Sequence, residues 1–188
     1  MPVNPNTSHE LEVFYDALQF TLSMEGGLSR DPRDPGNAGG RATLYGITQK
    51  TYDHWRQKRG DPTQDIMKIT HCEREALYYE EYFISSRCNL LPPKLAVALF
   101  DTAVHTGPSR AVKLLQKALG IAADGKFGSL TLQASIHQPL EKLLNHFLKE
   151  RKNFYELLSQ KKPALQRFLR GWRNRIELLQ QKLQSDKE

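Results

Sequence analysis

The sequence predicts a mainly α-helical protein. Apolar residues recur every three or four positions along most of the chain, as in the stripe Leu11, Phe14 and Leu18, and this is the spacing of one helix face. Glycine and proline separate these stripes, and no stretch shows the alternation of apolar and polar residues that is typical of a half-buried strand. One irregular segment, residues 24–48, interrupts the pattern. We therefore expect a helical protein organised around one long loop.

Start and stop signals divide the stripes into separate helices. Thr7 with Glu10, and Thr70 with Glu73, have the spacing of capping boxes, in which the first residue caps a helix N-terminus. The predicted helices run from Thr7 to about Glu25, Thr48 to near Gly60, Thr70 to about Cys88, Lys94 to Thr106, a Ser109 cap to Gly120, Leu130 to Ile136, Pro139 to Lys161, and from Leu165 towards the end of the chain, with a short turn around Ile66. The helix from Lys94 to Thr106 has the most core-like composition.

The loop of residues 24–48 has an unusual composition. It contains six glycines and two Asp-Pro pairs in 25 residues, and Glu25 stands at its head in the last turn of the predicted first helix. Irregular segments of this length are uncommon in compact domains unless they are functional or disordered. The loop also contains apolar residues such as Leu44 and Ile47, which favours order. We interpret it as an active-site loop, with a small hairpin possible where Gly39-Gly40 could turn the chain.

Composition limits the class of protein. A chain of 188 residues fits one domain, and no apolar run approaches the length of about 20 residues that a membrane-spanning helix needs. The N-terminus has neither a basic start nor an apolar stretch, so we expect synthesis in the cytoplasm without a cleavable signal peptide. Cys72 and Cys88 have no metal-site spacing, and free thiols are favoured over a disulfide. The net charge of +6 favours a polyanionic partner, such as nucleic acid, an anionic membrane face or bacterial cell wall.

The acids of the loop suggest a reaction. A helix end can hold Glu25 while the loop carries Asp34 to the other side of a substrate, and cleavage of a glycosidic bond needs such a pair, one acid protonated and the other ionised. Apolar neighbours would favour protonated Glu25, and a polar loop would keep Asp34 ionised. A solvated helix end and ordinary Asp-Pro turns are the alternative interpretation. The loop lacks the ligand pattern of a calcium site, so we expect no metal or cofactor.

Four blocks of the sequence resemble glycoside hydrolase family 108. The first is E-G-G-x-S-x-D-P-x-D-P-G followed by G-x-x-T-x-x-G-I-T, which covers Glu25 to Thr48. The others are the segments Leu99 to Gly107, Asp124-Gly125-x-x-Gly128-x-x-Thr131, and Phe168-x-x-Gly171-Trp172-x-Asn174-Arg175. The sequence departs from the family pattern in two ways. Residues 37–41 lengthen the path from Asp34 to Thr43, and Leu28 and His105 stand where an aromatic residue and asparagine are usual. The blocks occur in the family's order over about 160 residues.

The resemblance implies a lysozyme-like fold and activity. Residues 7–107 would form the catalytic part, and residues 108–185 would form a helical peptidoglycan-binding-like part packed on it as one unit. The implied reaction is hydrolysis of the β-1,4 bond between N-acetylmuramic acid and N-acetylglucosamine. Glu25 would be the general acid, and Asp34 would orient or activate water, with Asp31 as its rival. Thr43 would help to position that water.

Further residues are candidates for substrate binding. Tyr45 and Asp101 could line a sugar groove, although a buried structural role is equally open for Asp101. His105 and Asn174 could adjust the grip on substrate, with Asn174 and Arg175 facing away from the apolar stripe that holds Trp172. Arg167, Arg170, Arg173 and Arg175 resemble a basic stripe, for which a solvated helix face is the default interpretation.

The implied partner is the glycan strand of peptidoglycan, bound by a monomer. Without a signal peptide, a holin or an export partner would bring the protein to the periplasm or cell wall, either for lysis or for protein export. Two other classes of function stay open at this point. One is a peptidoglycan-binding module without activity, and the other is a basic helical protein that binds nucleic acid.

Overall fold

The computed structural model describes residues 5–25, 28–29 and 43–185. Within them the chain is mainly helical, as predicted. The helices are α1 (Pro5–Met24), α2 (Gln49–Lys58), α3 (His71–Tyr78), α4 (Pro93–Thr106), α5 (Pro108–Leu119), α6 (Ser129–His137), α7 (Leu140–Lys161) and α8 (Gln166–Ser185). A π-helical segment (Tyr79–Ile84) continues α3, and short 3₁₀ turns occur at Ile66–Lys68, Cys88–Leu90 and Pro163–Leu165. The strands are β1 (Leu28–Ser29), β2 (Thr43–Leu44) and β3 (Ile47–Thr48).

Helix caps follow the sequence signals at some ends and not at others. Thr70 and Glu73 form the predicted capping box of α3. The hydroxyl of Thr48 accepts a hydrogen bond of 3.1 Å from the N–H of Thr51 and caps α2. The first helix begins at Pro5, so Thr7 is not its N-cap. The cap predicted at Ser109 is also wrong, because proline is well suited to the first position of a helix and α5 begins at Pro108.

The three short strands form one antiparallel sheet in the order β1-β2-β3. Leu28 pairs with Leu44, and Ser29 pairs with Thr43, so a hairpin is present in the loop. Residues 30–42 connect its two strands, and Gly39-Gly40, where we expected the turn, lies outside the described residues. The third strand was not predicted. It is joined to β2 by a two-residue turn in which both central residues have positive φ, as type I′ hairpin turns require.

The core is centred on α4. Nine consecutive residues of this helix, 95–103, are buried, because α4 packs against α1, α5 and α7 at once. One hydrophobic cluster joins these helices with α8, and it includes residues from both sides of Gly107. The prediction that this helix is the most core-like is confirmed.

The last helix returns to the first. Ile176, Leu179 and Leu183 of α8 are buried in the common core, and Lys182 forms an ion pair of 2.7 Å with Asp16 of α1. This packing brings the middle of α8 next to the C-terminal end of α1, where Glu25 lies.

Cys72 is exposed and Cys88 is buried, and both are free thiols. Over the described residues, no helix combines the length and the apolar character needed to cross a membrane.

Candidate active site

Glu25 is held at the C-terminal end of α1. Its backbone N–H donates to the carbonyl groups of Thr21 (3.1 Å) and Leu22 (3.3 Å), which ties the residue to the last turn of the helix. The side chain is only 15% exposed. The carboxyl group is therefore fixed on a rigid element and largely shielded from solvent.

The turn between β2 and β3 lies against this carboxyl group. A Cβ atom added to Gly46 would lie 2.7 Å from Oε2 of Glu25 and 2.9 Å from its Cδ. Gly46 also has φ of +75°, which favours glycine. Tyr45, with φ of +51°, is anchored by the hydroxyl of Tyr78, which donates to its carbonyl oxygen. The turn is thus pinned against the end of α1.

Arg175 of α8 connects Glu25 to a second carboxylate. Its Nη1 donates to Oε1 of Glu25 over 2.7 Å. On its other side, Nη2 donates to Oδ1 of Asp101 over 2.6 Å, and Nε lies 3.1 and 3.2 Å from the two carboxylate oxygens. Burial by itself would lower the pKa of Arg175, but the two carboxylates outweigh it and raise that pKa. The guanidinium group therefore stays charged.

Asp101 is the buried centre of this cluster. It is fully buried, and it also accepts hydrogen bonds from Nη1 of Arg151 (2.7 Å) and from the hydroxyl of Thr21 (3.1 Å). Burial alone would raise the pKa of Asp101, but the guanidinium groups of Arg151 and Arg175 hold it well below its usual range. A buried carboxylate needs such compensation, because desolvating an unpaired charge is very costly.

His105 lies on the far side of the ion cluster. Its Nδ1 is 2.6 Å from the hydroxyl of Tyr155, which lies 3.4 Å from Nε of Arg151. The Tyr155 ring stacks on Trp172 at a centroid distance of 4.8 Å. Burial lowers the pKa of His105 to about 3, and the nearby cations act in the same direction. The imidazole is therefore neutral at neutral pH.

Two tyrosines face Glu25 from the third helix and its π-helical extension. Burial raises the pKa of Tyr78, and the charge of Glu25 adds to this effect. Burial likewise raises the pKa of Tyr82 to about 12. Both hydroxyl groups are therefore neutral near Glu25. A π-helical segment in this place is notable because such segments occur frequently at functional sites.

Comparison with protein families agrees with this geometry. Residues 18–107 match the model described as Glycosyl hydrolase 108, and residues 110–177 match the model described as Predicted Peptidoglycan domain. The N-terminal region, residues 18–107, thus belongs to glycosyl hydrolase family 108. The two matches support glycoside hydrolase activity on peptidoglycan, and this implies action at the cell wall.

One solved structure is similar to this protein over nearly its whole length. The structure of SagA from Brucella abortus is similar, with a TM-score of 0.78 and 29% sequence identity, and the match covers 93% of this chain and 95% of that one. No match was found among curated proteins.

The cluster around Glu25 joins the two matched regions of this family-108 protein. Glu25 and Asp101 belong to the first region, whereas Arg151 and Arg175 belong to the second. Both arginines were missed as partners of the acid. The prediction that Arg175 faces away from the apolar stripe is wrong, because the residue is only 7% exposed and its guanidinium group pairs with Glu25 and Asp101. The basic stripe on α8 therefore has three arginines rather than four.

The other predicted site residues are placed as follows. Thr43 lies on the central strand, three residues before Gly46, and Asn174 is exposed on α8. The Tyr45 ring is 37% exposed and lies 4.7 Å below the guanidinium group of Arg74. Asp101 is fully buried and so presents no surface to a sugar, which corrects the groove-lining role in favour of the buried one. Asp34 and its rival Asp31 lie outside the described residues.

Proposed function

We propose that this chain is an N-acetylmuramidase that hydrolyses the β-1,4 bond between N-acetylmuramic acid and N-acetylglucosamine in peptidoglycan. The observation that carries the proposal is the placement of Glu25. It is a shielded carboxyl group on a helix end, with a cation on one oxygen and a glycine turn against the other. A general acid has to be held this firmly, because it must lie within hydrogen-bond reach of the leaving oxygen.

In this mechanism Glu25 donates its proton to the bridging oxygen as the bond from that oxygen to the anomeric carbon breaks. Asp34 accepts a proton from the attacking water, whose oxygen joins the anomeric carbon, and Thr43 positions the water. This single displacement inverts the anomeric configuration and corresponds to carboxyl groups about 6.5–9.5 Å apart; at about 5–5.5 Å, Asp34 would instead bond the anomeric carbon first and water would then release the sugar with retention.

The electrostatic character of the chain suits this substrate. Peptidoglycan is an acidic polymer, and the protein has a net charge of +6. Tyr45 offers an exposed aromatic ring one residue from Gly46, so a sugar bound on that ring would lie near Glu25. We assign Tyr45 and Asn174 to the neighbourhood of the substrate, whereas His105, behind the ion cluster and bonded to Tyr155, would act on the site only through its packing. The protein would act as a monomer in the cell wall, reached through a holin or an export partner, for lysis or for protein export.

The test is digestion of purified peptidoglycan sacculi, followed by mass analysis of the released fragments. Wild type should release fragments with N-acetylmuramic acid at the reducing end. Glu25→Gln should reduce the release by a factor of about 10²–10⁴, the usual contribution of a general acid. Glu12→Gln is the matched control, because Glu12 is an exposed glutamate on the same helix. Fragments ending in N-acetylglucosamine would refute the bond assignment, and equal behaviour of wild type and Glu25→Gln would indicate a binding module.

A further inference from the structure

The carboxylates of Glu25 and Asp101 are held very differently by their shared arginine. Asp101 receives hydrogen bonds from two arginines and a threonine and is fully buried. Among the described residues, Arg175 is the one hydrogen-bond donor to the Glu25 carboxyl group, and it bonds only Oε1. Because Nε and Nη2 of the guanidinium group are occupied by Asp101, the plane of the group is fixed and Nη1 points at Glu25.

The second oxygen of Glu25 has a different neighbour. Oε2 lies against Gly46, 2.7 Å from the position that a Cβ atom on that residue would occupy. An arginine N–H can only donate, so it can bond a carboxyl oxygen that carries no proton. A proton on Glu25 is therefore directed to Oε2, beside the turn that carries Tyr45.

We propose that Arg175 is a positioning residue for the general acid: it holds Oε1 of Glu25 and thereby selects Oε2 as the oxygen that carries and donates the catalytic proton. This inference rests on the proposed function of Glu25. It also assigns to the region that matches the Predicted Peptidoglycan domain a direct part in building the active site, because that region supplies Arg175.

The charged groups around Glu25 show what each substitution of Arg175 removes. Arg175 faces it from α8, with Asp101 of α4 and Arg151 of α7 behind, and the neutral Tyr78 and Tyr82 face it from the third helix and its extension. With Glu25 ionised, two cations balance two carboxylates. Removal of Arg175 leaves an excess of negative charge in the cluster and takes away the hydrogen bond to Oε1 of Glu25.

The experiment compares Arg175→Gln, Arg175→Lys and the control Arg173→Gln on soluble, uncrosslinked peptidoglycan glycan chains, with kcat and KM measured from pH 4 to 9 by release of reducing ends. Arg173 is an exposed arginine on the same helix, paired with Glu156. For Arg175→Gln we expect kcat to fall about 10²-fold, the effect of a small misplacement of a catalytic group. KM should change less than about twofold, because Arg175 does not contact substrate in this proposal. Arg173→Gln should behave as wild type.

The split between kcat and KM, together with the lysine variant, separates positioning from a merely structural role. Arg175→Lys keeps the charge and a bond to Asp101 but offers no rigid fork. Its kcat should therefore fall while its KM stays near that of wild type.

Circular dichroism and thermal unfolding show whether each variant folds. If Arg175→Gln does not fold, Arg175→Lys provides the test. Wild-type kcat in Arg175→Lys, or a folded Arg175→Gln whose loss of activity lies in KM and not in kcat, would overturn the proposal. Inactive wild type would instead refute the proposed function, so the two failures can be told apart.

Discussion

Gly46 lies so close to Glu25 that a single added methyl group would overlap the carboxyl group, at 2.7 Å from Oε2 and 2.9 Å from Cδ. The contact joins the small sheet to the end of the first helix. Position 46 requires glycine for two reasons: a side chain would not fit against Glu25, and its φ of +75° favours glycine. The turn between β2 and β3 is therefore part of the wall around the acid.

Gly46→Ala should displace the Glu25 carboxyl group and lower kcat by about 10²-fold. Its backbone conformation should also cost about 1–2 kcal/mol of the free energy of unfolding. Gly60→Ala is the matched control, because Gly60 has a similar φ of +81° and nothing within 4 Å of the added Cβ. Both variants should lose stability in urea unfolding, and only Gly46→Ala should lose activity. Equal loss of activity in the two variants would mean that strain, not contact, is responsible.

Asp34 and Asp31 compete for the role of second acid, and a pair of neutral substitutions separates them. We expect Asp34→Asn to lower the hydrolysis of sacculi by a factor of about 10²–10⁴, because a general base contributes that much. Asp31→Asn should keep activity within a few-fold of wild type. The reverse order of activities would assign the second acid to Asp31.

The sequence was sufficient to predict the helix that carries Glu25, the cap at Thr70 and the hairpin in the loop. Each of these depends on local signals: apolar spacing, a capping pair, and glycines between short apolar segments. The third strand was missed because its second residue, Thr48, is also the N-cap of α2 and was assigned to that helix. The partner of Glu25 was missed for another reason. Arg175 lies 150 residues away from Glu25 along the chain.

A signal for the buried arginines was nevertheless present. Arg151 follows Phe147 by four positions and precedes Tyr155 by four, which places it on the buried face of α7. Arg175 likewise lies four positions before Leu179, a buried residue of α8. A charged residue in an apolar stripe requires a buried partner of opposite charge. Its identity, Asp101, depends on the packing of α4 against both helices and could not be read from spacing.

Asp101→Asn should be strongly destabilising. It removes the carboxylate that balances two buried guanidinium groups, and breaking a buried ion pair in this way costs about 3–5 kcal/mol. Asp16→Asn removes a half-exposed partner of Lys182 and should cost at most about 1 kcal/mol. Urea unfolding at pH 7 measures both free energies of unfolding. A cost for Asp101→Asn no greater than that for Asp16→Asn would contradict the role of Asp101 as the anchor of the cluster.

His105 should make the protein less stable as the pH falls. Its pKa is lowered to about 3 in the folded protein by burial and by the neighbouring arginines, whereas an unfolded chain has a histidine pKa of about 6.5. Between these values the unfolded chain binds a proton that the folded protein does not, so the free energy of unfolding decreases as pH falls through this window, by up to about 1.4 kcal/mol per pH unit. His105→Asn, which restores the residue usual at this position in family 108, should remove that slope. Urea unfolding between pH 4.5 and 7.5 measures this slope, and the range lies above that in which Asp101 is protonated. The control is His146→Asn, at an exposed position of α7, which should keep the wild-type slope. Parallel curves for wild type and His105→Asn would show that another group titrates in this range.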